Sequence, residues 1–446
     1  MSIAGHQIRR LSPALALWLA LIAAASTLYY HQALFIPRAL EAQRTRGLAN
    51  GYSFGNDFYQ IWLSSRELLG RRQDPYSAET TSEIQTGLYG RPLDPARPGD
   101  PIDQRAFPYP AFVDLLFLPA ATIPFPIVRI VVCCLLAALT IASVLLWLRV
   151  LSWDLDWKWT TVVLLLTLSS YPALEGLYAA QIGLLVSFLL ATSVLALQRE
   201  RYLLSGTLLA LTAMKPQVTI LAVLFLLLWN LRTARARRFY IGYFATVAAL
   251  VAAATIVLPH WISSWIHTVL AYRHYTPPPL VTQTLTSLLG PSLAGPAALV
   301  LTAAAILIAL ILAWKNRSAP AESFSFLLTL TVLLAITAFF ILPGLAIYDH
   351  LILLPGILLL FRYRKLLEEA GRIPRIIVCL GALILFWPWI TAFALICLRP
   401  ILSASIFHST AVLSLPVRTA ASLPFVVLAL LALMWRAIAR KTEAPA

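Results

Sequence analysis

The chain has 446 residues, of which 60% are apolar and only 12% are charged, and its mean hydropathy is +0.80. Soluble domains carry about 25% charged and about 45–50% apolar residues, so this composition excludes a water-soluble globular protein and a nucleic-acid-binding domain. The net charge of +15 would suggest an anionic partner, but most basic residues lie between hydrophobic runs and so reflect topology. The composition therefore predicts an all-α, polytopic integral membrane protein.

The first apolar segment runs from Leu11 to Tyr30 and is predicted to be a transmembrane helix that stays in place. A cleaved signal peptide is the alternative, because Ala23–Ala25 resemble a small-residue cleavage site. We expect residues 1–36 to form a cytoplasmic N-terminus and this helix, and residues 37–126 to form a long first extracytoplasmic loop. A multi-span bundle over 127–436 and a cytoplasmic tail over 437–446 complete the predicted organisation.

After the loop the chain is almost continuously apolar, which predicts about twelve transmembrane helices in all. The predicted spans after the first lie near 127–148, 159–173, 176–198, 202–214, 217–231, 239–258, 293–314, 323–342, 345–361, 374–397 and 420–436. The segment 202–214 is too short to cross a bilayer without tilt or thinning, so the count could be ten to thirteen.

The distribution of basic residues orients these spans. With the N-terminus inside, the cytoplasmic segments hold 20 lysines and arginines, whereas the outer segments beyond the long loop hold five. This asymmetry follows the positive-inside rule, from which long loops are exempt. Both termini are therefore predicted to face the cytoplasm, with the first loop on the outer side of the cell membrane.

Charged groups at membrane depth are expensive and are functional candidates by default. This chain offers few such groups, and they map, together with the amide of Gln181, to the predicted outer boundary of the membrane: Asp57, Glu175, Lys215, Asp349 and His350. Structural alternatives remain open for four of them. Asp57 could cap a helix, Lys215 could snorkel to the interface, Gln181 could join two helices, and His350 could be a hydrogen-bonded residue at a helix N-terminus.

Other polar patterns favour structure over metal chemistry. His260, His267 and His274 recur every seven residues, which indicates one face of an interfacial helix, whereas a metal site would prefer i, i+4 spacing. Asp154-x-Asp156 lies among tryptophans and is predicted to be a cytoplasmic loop. All four cysteines lie in apolar runs, so neither a disulfide nor a zinc site is expected. No metal and no cofactor is therefore expected.

A series of short motifs resembles glycosyltransferase family 87. These are Asp57-Phe58-Tyr59, Ser65-Arg66-Glu67-Leu68-Leu69-Gly70, Asp74-Pro75-Tyr76, Phe107-Pro108-Tyr109-Pro110, Phe117-Leu118-Pro119, Gln181-Ile182-Gly183-Leu184-Leu185, Ala213-Met214-Lys215-Pro216, Tyr348-Asp349-His350 and Leu354-Pro355. Each motif is weak alone, and their order and membrane placement carry the resemblance, which covers roughly residues 55–360.

The resemblance implies a helical membrane glycosyltransferase of the GT-C type, similar to polyprenyl-phosphate-mannose-dependent mannosyltransferases. It implies a catalytic acid in the first outer loop, and Asp57 is the candidate for a general base on the acceptor hydroxyl. Residues expected to bind substrate are Lys215, His350, Arg66, Tyr109, Gln181 and Asp349. The implied partners are a polyprenyl-phosphate sugar donor, a lipid or glycan acceptor and the bilayer, with hexose transfer that inverts the anomeric carbon without a metal.

A transporter or flippase of lipid-linked sugars is the alternative function. Such a protein would use the same basic residues to bind phosphate, but it would need polar residues in both halves of the membrane. The candidates here cluster at one boundary, which favours the transferase.

Overall fold

The structure is a computed structural model that describes residues 12–49, 51–94, 96–231, 236–344, 346–369, 371–407 and 409–443. Over these residues the chain is almost entirely helical and it is a polytopic membrane protein. Seven helices are long and apolar enough to cross a bilayer: Pro13–Arg44, Phe125–Val150, Arg237–Val257, Pro291–Asn316, Phe324–Ile341, Arg372–Leu398 and Leu415–Ile438. A bent helix pair can be counted as an eighth span, whereas the predicted number of twelve is not confirmed.

The first span combines α1 (Pro13–Tyr29), a π-helical turn over Tyr30–Phe35 and α2 (Ile36–Arg44). Ser12 caps α1 by accepting a hydrogen bond from the amide of Leu15, and Pro13 at the first position has no amide that needs a partner. The helix continues past residue 36, where the first loop was predicted to begin. Arg9, Arg10 and residues 232–235, which contributed to the charge asymmetry, lie outside the described residues.

The long first loop is folded, with three helices: α3 (Asn56–Arg71), α4 (Ala78–Tyr89) and α5 (Phe112–Ala121). Helix α3 packs on both α4 and α5. Phe58 and Ile61 of α3, Ile84 of α4 and Phe107 before α5 are buried in a core shared with the adjoining spans. This burial fixes the loop helices to the membrane bundle, so the first turn of α3 has a defined position.

The next helices are interrupted, and one of the breaks lies next to the predicted site residue Gln181. α6 (Phe125–Val150) leads to α7 (Trp157–Leu168), which is capped by the Asp156 carboxylate, so that residue has a local structural role. A 59° bend separates α7 from α8 (Tyr171–Tyr178), where Ser170 caps the new helix and Pro172 follows. The predicted span 176–198 is therefore two pieces, because α9 (Gly183–Gln198) begins only after a turn at Ala180 with φ of 53°.

The central part of the chain consists mainly of shorter apolar helices. They are α10 (Tyr202–Leu211), a 3₁₀ turn over Thr212–Met214, α11 (Pro216–Asn230), α12 (Ala236–Val257), α13 (Trp261–Tyr275) and α14 (Leu280–Leu289). The helix predicted from the histidine spacing is α13, which starts directly after His260. Lys215 lies in the break between the 3₁₀ turn and α11.

The last third of the chain contributes the innermost helix. Its elements are α15 (Pro291–Asn316), α16 (Phe324–Ile336), a π-helical turn over Thr337–Ile341, a 3₁₀ helix over Ile347–Leu353, α17 (Leu354–Arg362), α18 (Arg364–Glu368), α19 (Arg372–Leu398), α20 (Ala404–Phe407), α21 (Thr410–Leu413), α22 (Leu415–Ala420) and α23 (Leu423–Glu443). Every residue of α16 from Phe326 to Ile336 is buried. By contrast, α15 exposes large apolar residues such as Leu299 and Val300, as a lipid-facing helix does.

A further predicted span is corrected by the structure. Residues 345–361 were expected to form a single transmembrane helix, but Ile347–Leu353 is a 3₁₀ helix and α17 starts at Leu354, followed by Pro355. Proline at a second helical position is favourable because its missing amide would have no partner there. The break places Asp349 and His350 inside the protein, where both side chains are buried.

Candidate active site

Asp57 lies in the first turn of α3, and its backbone is fixed by α8. Gly55, with φ of 82°, turns the chain into the helix and donates its amide to the Tyr178 carbonyl at 2.7 Å. The Asp57 amide donates to the Ala179 carbonyl at 3.1 Å. Because the turn at the end of α8 accepts both bonds, the start of α3 is tied directly to the segment that carries Gln181.

The Asp57 carboxylate accepts hydrogen bonds from two residues that are distant in sequence. Arg105 Nη1 donates to Oδ1 at 2.9 Å, and Gln181 Nε2 donates to Oδ2 at 2.8 Å. The side chain of Asp57 is 12% exposed, and the N-cap of α3 is Gly55. The capping role considered for Asp57 is therefore not observed, since its oxygens face other side chains.

Gln181 joins Asp57 to Tyr109. The Tyr109 hydroxyl donates to Gln181 Oε1 at 3.3 Å, and both side chains are buried. Burial raises the pKa of Tyr109 well above its usual value, and the nearby carboxylate of Asp57 raises it further, so the hydroxyl keeps its proton. Three predicted site residues from three segments thus form one hydrogen-bonded series.

Lys215 and Asp349 form a buried ion pair. Lys215 Nζ lies 2.8 Å from Asp349 Oδ1 and 4.7 Å from the centre of the Tyr348 ring. The two side chains are 6% and 1% exposed, so Lys215 does not snorkel to the surface. Asp349 Oδ2 is buried and has no hydrogen-bond partner among the described residues.

Gly183 connects the ion pair to the Asp57 cluster. It starts α9 two residues after Gln181, and a Cβ atom at this position would lie 2.2 Å from Asp349 Oδ1 and 3.6 Å from Lys215 Nζ. Only glycine allows so close an approach of the α9 backbone to the carboxylate. His350 follows Asp349 on the 3₁₀ helix and is buried, and it is not at the N-terminus of a span.

Arg66 is the predicted site residue that the structure does not bring to this cluster. It lies nine residues after Asp57 on α3, which is about 13.5 Å along a helix axis. Its side chain is exposed, and its guanidinium stacks 5.4 Å from the centre of the Trp62 ring.

Arg105 and the tyrosines around the cluster were missed by the sequence reasoning. Arg105 donates through Nε to the Tyr89 hydroxyl at 3.1 Å as well as binding Asp57. It belongs to the long loop, whose basic residues were set aside in the topology argument, although it precedes the Phe107–Pro110 motif by only two residues. That proximity to a family motif was the available signal.

Helix α13 closes another side of the site. Trp265 Nε1 donates to the Pro108 carbonyl at 3.1 Å, which fixes α13 over the segment before Tyr109. Burial raises the pKa of Tyr272 on this helix, as do the carboxylates of Asp103 and Asp57, in that order. Tyr272 therefore adds a second neutral hydroxyl near Asp57.

The described residues contain no group of three or more histidine, cysteine, aspartate or glutamate side chains arranged to hold a metal ion. The cations at the site are Lys215 and Arg105. The arrangement therefore offers a carboxylate that can accept a proton, buried hydroxyl and amide groups that can bind a sugar, and a lysine that can bind an anion.

The sequence model of glycosyltransferase family 87 matches residues 107–343, which is just over half of the chain. The matched region includes Tyr109, Gln181 and Lys215, and it excludes Asp57, Asp349 and His350. No curated protein and no solved structure matches the chain significantly.

Proposed function

Because this chain belongs to glycosyltransferase family 87, and is thus a membrane glycosyltransferase, we propose that it takes a hexose from a polyprenyl phosphate and transfers it to a lipid or glycan acceptor. One observation carries the proposal. Asp57, which lies outside the family match, is hydrogen-bonded to Gln181 inside it, and Gly183 links that pair to the buried Lys215. A proton acceptor and a buried cation therefore lie at one site.

In the proposed reaction Asp57 is the general base. Its carboxylate takes the proton of an acceptor hydroxyl, whose oxygen attacks the anomeric carbon of the donor sugar. The bond from that carbon to the phosphate oxygen breaks, and the configuration inverts. Each carboxylate oxygen has two lone pairs, so the hydrogen bonds from Arg105 and Gln181 leave room for a hydroxyl.

The leaving group is a prenyl phosphate monoester, and Lys215 is the candidate to bind its phosphate. A buried ammonium in low dielectric stabilises developing negative charge more strongly than one in water. The phosphate would share Lys215 with Asp349, and His350 next to Asp349 would supply a further contact. Arg66 is not proposed to contact this phosphate, since its guanidinium stacks on Trp62 and lies apart from the cluster.

Tyr109 and Gln181 are proposed to contact the sugar or the acceptor, because their hydrogen-bonded groups lie next to the base. Mannose is the proposed sugar, following the mannosyltransferases that the motifs resemble. No cofactor is invoked, because the departure of a phosphate monoester can be assisted by protein cations alone.

We also propose that the site faces the outer side of the cell membrane and that both termini are cytoplasmic. The excess of basic residues in the predicted inner segments supports this orientation. Single cysteines at Arg72 and Arg237 should then react with an impermeant maleimide from opposite sides. Labelling of both from one side would contradict the orientation.

The direct experiment uses the purified full chain in detergent with radiolabelled prenyl-phosphate mannose and a lipid extract of its host membranes. We expect label to move into a new lipid or glycan product, and the labelled nucleotide sugar to be inert as a donor. Prenyl-phosphate glucose serves as the matched donor for sugar selectivity. Transport of intact donor across proteoliposomes without any transfer product would instead support the flippase.

A further inference from the structure

A second polar cluster, largely but not fully buried, lies beside the active site and has no part in the reaction described above. Its centre is the carboxylate of Glu175 on α8, which lies inside the bent helix pair that can be counted as a span. The fully buried His31 of the first span lies 3.2 Å from it through Nε2. Ionisable groups at membrane depth are rare and are retained for a function more often than for stability.

Two tyrosines donate to the same carboxylate. The hydroxyl of Tyr52 lies 2.6 Å and 2.8 Å from the two oxygens, and the hydroxyl of Tyr171 lies 2.7 Å from one of them. Tyr171 is on the same helix as Glu175, four residues before it. Tyr52 comes from the first loop, five residues before Asp57, so of these two tyrosines Tyr52 is the one whose bond to Glu175 joins the loop to α8.

The connection from this cluster to Asp57 is continuous. Tyr178, at the end of α8, donates its hydroxyl to the Tyr52 carbonyl at 3.0 Å, and the two rings pack 5.4 Å apart. The Tyr178 carbonyl then accepts from Gly55, and the Ala179 carbonyl accepts from Asp57. The segment from Tyr52 to Asp57 is thereby held along α8 at both its ends.

His31 lies in the π-helical turn of the first span, and such turns inside α-helices occur often at functional sites. The side chain of its neighbour Gln32 lies 3.2 Å from His31 Nδ1, so both ring nitrogens have a partner. The extra residue of the π turn brings a ring nitrogen to the carboxylate. The first span, the loop and α8 therefore meet at Glu175.

We infer that Glu175, acting through Tyr52, is a positioning residue that fixes the Asp57 carboxylate against Gln181 and Arg105. The inference rests on the proposed role of Asp57 as base. A reacting group displaced by about 1 Å can lose about 10²-fold in rate, so a modest loosening of the Tyr52–Asp57 segment should slow the chemical step. Donor binding at Lys215 would be unaffected, because that residue contacts none of these groups.

The test compares two variants that each remove one hydroxyl from the same carboxylate. Tyr52→Phe removes the side-chain bond between the loop and Glu175 and leaves the backbone bonds to α8 in place. We expect kcat to fall about tenfold, with the KM for prenyl-phosphate mannose within about twofold of wild type. Tyr171→Phe removes a bond within α8, and we expect both constants to stay within about twofold. The apparent Tm in detergent should fall similarly in the two variants, because each loses a bond to one carboxylate.

Equal values of kcat in the two variants would overturn the inference and leave the cluster a structural one. If Tyr52→Phe does not fold, Tyr178→Phe provides the same test, since its hydroxyl holds the Tyr52 carbonyl. Asp57→Asn assayed in parallel separates the two proposals. If Asp57→Asn keeps its activity, the proposal that Asp57 is the base is wrong. If Asp57→Asn is inactive and the two tyrosine variants have the same kcat, only the positioning role of Glu175 is wrong.

Discussion

The two acidic residues of the site differ in what surrounds them. Asp57 comes from the first loop, is 12% exposed and has a hydrogen-bond donor on each oxygen. Asp349 comes from a break between spans, is 1% exposed and has Lys215 on one oxygen and no partner on the other among the described residues. One carboxylate is partly accessible to solvent, and the other is enclosed by protein.

This difference assigns them different tasks. A general base must meet an incoming hydroxyl and hand its proton on, which suits the partly exposed Asp57. A buried carboxylate paired with a lysine holds that lysine in place, and removing one partner leaves an uncompensated charge that costs about 3–5 kcal/mol. Asp349 is therefore expected to act through Lys215 and not as the base.

The largest effect is expected from Asp57→Asn. A positioned general base contributes about 10²–10⁴-fold in rate, and asparagine keeps the size of the side chain and one acceptor. We expect kcat to fall by that factor while expression and apparent Tm stay near wild type. Asp103→Asn is the matched control, because this carboxylate is 3.6 Å from Arg105 Nε but does not touch Gln181.

The comparison would break if Asp57→Asn kept more than about a tenth of wild-type turnover, which is above the range for a lost base. It would break equally if Asp349→Asn lost as much kcat as Asp57→Asn with an unchanged donor KM. Either result would transfer the role of base away from Asp57.

The next effect in size is expected at the ion pair. Lys215→Ala should raise the donor KM and lower turnover, together about 10²-fold in kcat/KM, because the ammonium would face phosphate in both ground and transition states. It should also lower stability, since Asp349 loses its partner. The double variant Lys215→Met with Asp349→Asn should recover the apparent Tm without recovering activity. Recovered activity in the double variant would show that the pair is structural.

A smaller effect is expected at Gly183. In Gly183→Ala the new methyl group would approach Asp349 Oδ1 to 2.2 Å, so the carboxylate must move and take Lys215 with it. We expect about a tenfold loss of kcat/KM, mostly in the donor KM, by analogy with small displacements of binding groups. Gly295→Ala on α15 is the control, since its Cβ would meet no atom within 4 Å and alanine favours a helix. Equal behaviour of the two variants would argue against a close fit at Gly183.

Much of this architecture could be predicted from the sequence, since apolar runs of the right length mark membrane helices. The motif order also located Tyr109, Gln181, Lys215 and Asp349, and the structure brings them near Asp57. The breaks could not be predicted in detail, because hydropathy does not distinguish a continuous span from two short helices joined at Ala180 or at Leu354. Those breaks are where Gln181 and Asp349 enter the site.

The partners of the site residues were also beyond the sequence. In the sequence Arg105 does not differ from the other arginines of the long loop, because what distinguishes it is a hydrogen bond to Asp57, 48 positions away. Arg66 shows the reverse: it lies within a family motif, yet the helical spacing of α3 carries it away from Asp57. Tertiary contacts, and not residue type, separate these two arginines.

A third acidic residue, Asp114 on α5, extends the comparison to a carboxyl group that has no part in the proposed reaction. It is fully buried, and the hydroxyl oxygens of Ser64 and Ser65 on α3 lie 2.7 Å and 3.1 Å from its Oδ1. Asp114 Oδ2 is buried without a partner among the described residues. These contacts join α5 to α3, and we expect them to matter for stability alone.

The smallest effect on turnover is therefore expected from Asp114→Asn, which should show mainly in the pH dependence of stability. Burial raises the pKa of Asp114 to about 8, whereas the unfolded chain has a value near 3.9. Between these values the folded protein keeps a proton that the unfolded chain releases, so stability from this group is complete below about pH 4 and lost as pH rises through about 8. The slope of stability against pH reaches at most about 1.4 kcal/mol per pH unit.

Asparagine does not titrate and can still bind the serine hydroxyls, so Asp114→Asn should flatten the fall of apparent Tm between pH 5 and pH 8 while kcat stays within about twofold. An unchanged pH profile of Tm would mean that Asp114 is ionised in the fold, and a large loss of kcat would place it in the reaction beside Asp57.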